Sequence, residues 1–86
     1  MKRWMIEVTH KAENWQDEPE DRLHFYDDEE GAVDALHRFA GNMYADIKKV
    51  LLLDTYKLTV EELEPKLDGY KIRLVAKKVN DEGKPA

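Results

Sequence analysis

From Arg3 to Thr9 the chain alternates: Trp4, Ile6 and Val8 fall on one side, and Met5, Glu7 and Thr9 on the other. A period of two over this length, in aromatic and β-branched residue types, predicts a half-buried strand. Residues 12–21 break the pattern, and Pro19 among dense acids predicts a loop there. Leu23 and Phe25 then alternate with His24 and Tyr26, which predicts a second short strand antiparallel to the first. After Tyr26 the period lengthens. Ala32, Val33, Ala35, Leu36, Phe39, Ala40 and Met43 recur at helical spacing, while Asp34, His37 and Arg38 fall off that stripe. Asp27 and Glu30 have capping-box spacing, and Asp28 and Glu29 place negative charge where the helix dipole favours it. Gly41-Asn42 offers a left-handed stop, so a helix is predicted over roughly 28–41.

The middle of the chain reads two ways. Tyr44, Ile47, Val50, Leu51 and Asp54 have the spacing of a second helix, whereas Leu52, Tyr56, Leu58 and Val60 share strand parity. Aromatic and β-branched residues after the leucines favour a strand over about 48–58. Thr59-Val60-Glu61-Glu62 has a capping-box pattern and predicts a short helical turn ended by Pro65. Asp68-Gly69 signals a turn. Tyr70, Ile72, Leu74 and Ala76 then alternate with Lys71, Arg73, Val75 and Lys77, which predicts a last strand. The sum is an α+β domain over residues 1–79: a small antiparallel sheet in ββαββ order with one main helix on one face, followed by a flexible C-terminal tail at 80–86. Trp4, Ile6, Leu23, Phe25, Ile72 and Leu74 are expected to face Val33, Leu36 and Phe39.

Composition narrows the chemistry. The 86 residues include no cysteine and no serine, which removes disulfides, thiolate metal sites and both of those nucleophiles. Val50 to Leu53 is too short an aliphatic run to cross a bilayer, and no apolar stretch of secretory length follows Lys2 and Arg3. A cytoplasmic location is the default expectation. Glycines are dispersed, so no phosphate-cradling loop is present. His10, His24 and His37 show no metal-ligand spacing, and the acidic runs lack the alternating ligands and central Gly of a calcium loop. Carboxylates crowded into a polar loop and a helix start are expected to be solvated, without the raised pKa that acid–base catalysis needs. No enzyme activity, cofactor or metal is therefore expected.

The net charge of −5 conceals an asymmetry. Residues 13–34 carry ten acids against the single base Arg22, whereas the rest of the chain has thirteen bases and nine acids. The acidic half repels nucleic acid and attracts basic protein surfaces. Trp15, Asp17, Glu18, Glu20, Asp21, Tyr26, Asp28, Glu29, Glu30 and Asp34 are thus the candidate partner-binding residues, with His24 as a further aromatic anchor. Trp15 has two readings, as a ring folded back over the edge of the core or as an anchor standing out. Lys71, Arg73 and Lys77 share one face of the last strand and offer a weaker case for direct nucleic-acid binding. Self-association through a sheet edge, or through a face containing Val75 and Val79, is a third reading.

Lys2-Arg3-Trp4 opening the first strand, the second strand, and the acid-led Asp28-Glu29-Glu30-Gly31-Ala32 helix together resemble the layout of small acidic phage-encoded inhibitors of host proteins, including the T7-type inhibitor of bacterial RNA polymerase. The resemblance covers about residues 2–40 and the final strand. The loop at 12–21 and the segment 44–69 have no counterpart in it. It implies a non-enzymatic module acting in the host cytoplasm, which occupies the basic surface of an enzyme such as a polymerase or a defence nuclease.

Overall fold

In a computed structural model, which describes residues 1–11 and 18–77, the order of elements is β1 (Lys2–His10), β2 (Glu20–Tyr26), α1 (Glu29–Ala40), β3 (Ala45–Asp54), β4 (Thr59–Asp68) and β5 (Lys71–Ala76). The strands form one antiparallel sheet in the order β2-β1-β3-β4-β5. The α+β class with a helix on one face is as expected, with one strand more than the ββαββ reading. The predicted tail at 80–86 lies outside the described residues, as do Trp15 and Asp17.

α1 starts one residue later than the capping-box reading placed it. Asp28, not Asp27, is the N-cap: its backbone is extended and its Oδ1 accepts from the Gly31 amide at 2.6 Å. Gly31 suits that position because a Cβ there would sit 2.9 Å from the capping oxygen and push it aside. The helix does not end in a left-handed residue. Gly41 is right-handed at φ −84°, and Asn42 makes the turn by accepting from Tyr44 N through Oδ1. Ala32, Ala35 and Leu36 are buried against the sheet, whereas Met43 is exposed.

Two register features set the faces of the sheet. Pairing of Met5 with Phe25 and Ile6 with His24 sends His24 and Tyr26 toward α1 and leaves Leu23 and Phe25 on the opposite, open face. This reverses the parity expected for β2. Trp4, Ile6, Ile72 and Leu74 do belong to the helix side. The second feature is a bulge between β1 and β3: Glu7 pairs with Lys49 but Val8 pairs with Ile47, so Lys48 is an extra residue. The bulge switches parity, which lets Ala45 and Ile47 join Val50 and Leu52 beneath the helix. It also explains the helical spacing of Ile47 and Val50 within a strand.

The segment 59–68 is a strand, not a helical turn. Thr59 pairs with Asp54 across β3, so its spacing to Glu62 does not cap a helix. β3 and β4 pair only from Val50/Leu63 to Asp54/Thr59, and beyond Leu63 the strand pairs with β5 alone. Pro65 is tolerated because it lies past the point where β3 leaves. Tyr56 and Leu58, expected in a strand, sit exposed in the β3–β4 turn, with Leu58 at φ 54°. Asp54 organises that turn by accepting from the amides of Tyr56 and Lys57. The β4–β5 turn is the signalled Asp68-Gly69, with φ +65° at Gly69 only, as in a two-residue type II′ hairpin.

Candidate functional site

The acids that the sequence groups together are separated by the fold. Glu20 pairs with Arg22 at 3.0 Å. Asp21 accepts from the Thr9 hydroxyl and, at 3.1 Å, from the Lys48 ammonium. Those two hydrogen bonds, Thr9's first, hold the Asp21 carboxyl below its ordinary pKa. Asp27 lies 3.6 Å from Arg3, and Asp28 is occupied as the helix cap. Glu18, Glu29, Glu30 and Asp34 are exposed and have no cation within 4 Å among the described residues. Three of these four lie on the first two turns of α1, where the dipole tolerates them.

Tyr26 is not an outward anchor. It is half-buried across from Trp4 and packs on the core. Burial raises its hydroxyl pKa, with the nearby Arg38 charge opposing. Tyr26, Gly31, Asp34 and Arg38 line an open depression beside the helix. His24 is also turned inward. Its Nε2 lies 3.0 Å from Nε2 of His10, and the Phe39 ring packs against both imidazoles at 5.0 and 6.0 Å between centroids. Partial burial is the main cause of a lowered His24 pKa, with help from the charges of His10 and Arg22.

The surface that sequence reasoning missed is the open face of the sheet. The register places Met5, Leu23, Phe25, Leu51, Leu53, Val60 and Val75 there, with no helix over them. Met5 is buried by its neighbours, but Leu23, Phe25 and Val60 are 53%, 44% and 67% exposed. Some charged groups on this face are paired within the chain: Glu7 with Lys49 at 3.9 Å, Asp21 with Lys48 at 3.1 Å and Glu62 with Lys77 at 3.3 Å, whereas Glu64, Lys66 and Lys71 have no such partner among the described residues. The Arg3 guanidinium covers the Phe25 ring at 5.0 Å. Exposed pairs of this kind add only about 0–1 kcal/mol each to stability. Their effect is to neutralise part of the border of an apolar strip. The signal available in the sequence is Met5, a large apolar residue on the side of β1 opposite Trp4, Ile6 and Val8.

Among the described residues no three His, Asp or Glu side chains converge as a metal cluster, and no helix is long and apolar enough to cross a membrane. Lys71, Arg73 and Lys77 share the open face as expected, but Arg73 lies 3.5 Å from Asp68 and Lys77 is paired to Glu62. No protein-family model, curated protein or solved structure matches this chain.

Proposed function

We propose that this chain is a non-enzymatic protein-binding module that docks through the open face of its sheet, while the acids of α1 steer it toward a partner with a basic surface. The observation that carries this reading is the exposure of Leu23 and Phe25 on β2 and of Val60 on β4, on a sheet face that no element covers among the described residues. An apolar centre within a polar border is the anatomy of a protein interface. Glu18, Glu29, Glu30 and Asp34, which have no cation partner among the described residues, supply the long-range field. Such a module inhibits by occupancy, as the phage-inhibitor layout implies: it covers a surface that would otherwise meet nucleic acid.

The test is affinity capture from bacterial lysate followed by binding kinetics with the purified partner. Leu23→Gln with Val60→Gln should speed dissociation. Glu29→Lys with Glu30→Lys and Asp34→Lys should slow association and flatten its salt dependence, leaving dissociation nearly unchanged. If the acid variant releases the partner while the apolar variant retains it, the helix start is the contact and the sheet face is not. Self-association is the second reading, favoured by the mixture of acids and bases on the open face, which lets a copy of the same net charge approach. Concentration-dependent sedimentation abolished by the Leu23/Val60 variant would select it.

A further inference from the structure

We propose that His10 and His24 form a two-imidazole site for a borderline divalent transition metal ion such as Cu²⁺, Ni²⁺ or Zn²⁺. Neither residue has this role in the protein-binding reading, and the site stands apart from it. The two Nε2 atoms face each other 3.0 Å apart. With metal–nitrogen bonds of about 2.0–2.1 Å, two nitrogens on one ion lie about 2.9 Å apart at a right angle and about 3.4 Å apart at a tetrahedral angle. The observed separation falls between these values, so one ion seated to the side of the line joining the nitrogens could bind both, the shared hydrogen being lost and each ring tilting its lone pair toward the ion. Phe39 packs against both rings and restricts their rotation, which lowers the cost of orienting them.

A histidine must be neutral to bind a metal, so an ion and a proton compete for each ring. Arg22 would oppose a cation, but its guanidinium is engaged by Glu20 at 3.0 Å. Glu20 is also the cross-strand partner of His10. Both imidazoles are only half-buried, so water can complete the coordination. Imidazole nitrogens without thiolates or further carboxylates select Cu²⁺, Ni²⁺ and Zn²⁺ over Mg²⁺ and Ca²⁺. A bound ion would fasten the end of β1 to β2. The sequence concealed the pair because the residues are 14 apart and become neighbours only through the β1–β2 register.

The experiment is titration of the full chain with Zn²⁺ and with Cu²⁺, followed by calorimetry and by ¹⁵N spectra of the imidazoles. One ion per chain should bind, the Nε2 resonances of His10 and His24 should both shift, and those of His37 should not. His10→Gln and His24→Gln should each weaken binding by about tenfold or more, while His37→Gln leaves it unchanged. Affinity should fall on acidification, because protons then compete for the nitrogens. Mg²⁺ should not displace the ion. Binding that leaves both resonances unmoved in the wild-type chain overturns the proposal. Binding equally strong in both glutamine variants, or no binding of either metal, also overturns it.

Discussion

Asp28 shows how narrowly a residue's role can be decided. Two adjacent aspartates stand at the start of α1, and both have acids three or fewer residues on. Spacing alone favoured Asp27 because it completes a capping box with Glu30. The structure uses Asp28 because Gly31, three residues later, leaves room for its carboxylate. Asp28→Ala should therefore cost about 0.5–2 kcal/mol in chemical denaturation, and Asp27→Ala much less. Titration is likewise a matter of single residues. Asp21 and Asp54 both have folded pKa values below the ordinary 3.8, Asp21 through Thr9 and Lys48 and Asp54 chiefly through the Lys57 amide. Their contribution is fully present above that value and is lost as pH falls through the lowered one. His24 has the same sign nearer neutrality: stability present above 6.5 is lost as pH falls through its lowered pKa. Thermal melts from pH 8 to pH 2 should thus decline in two stages. His24→Gln should flatten the upper stage, and Asp21→Asn part of the lower one.

Among the elements, α1 and β5 were legible because each keeps one period from end to end. β3 was not, since the bulged Lys48 places Ile47 and Val50 three apart on the same face and so imitates a helix. β4 was obscured by Thr59 and Glu62, whose capping spacing is satisfied instead by strand pairing. β2 was recognised as a strand but turned over, because its apolar and aromatic residues alternate with each other and only pairing with β1 selects the inner set. The candidate site was legible only in part for the same reason. Charge can be counted along the chain, but its neutralisation by Lys48, Lys49 and Lys77 depends on neighbours distant in sequence. The β3–β4 turn carries the one non-glycine residue with positive φ among the described residues. Leu58 is 87% exposed and has little packing to lose. Leu58→Gly should remove about 1–2 kcal/mol of left-handed strain and return somewhat less than 1 kcal/mol of chain entropy, a small net gain readable as a higher melting temperature.

For the molecule as a whole, the side chains enclosed between α1 and the sheet are few. Ile6, Val8, Leu36 and Val50 are its largest fully buried members. Leu36→Ala should cost about 2–5 kcal/mol in denaturant titration, a large share of the stability of a domain this small. These four residues come from β1, α1 and β3, and none from β4 or β5. The β4–β5 hairpin is joined to the rest along only half of β4, with Leu63 and Ile72 anchoring it to the core. Beyond that junction, Glu64 to Asp68 and Ala45 to Lys49 run as separate margins with no ladder between them. The hairpin can accordingly swing or peel away while the helix and the three other strands stay folded. Its amides should exchange with solvent deuterium earlier than those of β1, and a chain cut at residue 57 should tend to part into two unequal pieces.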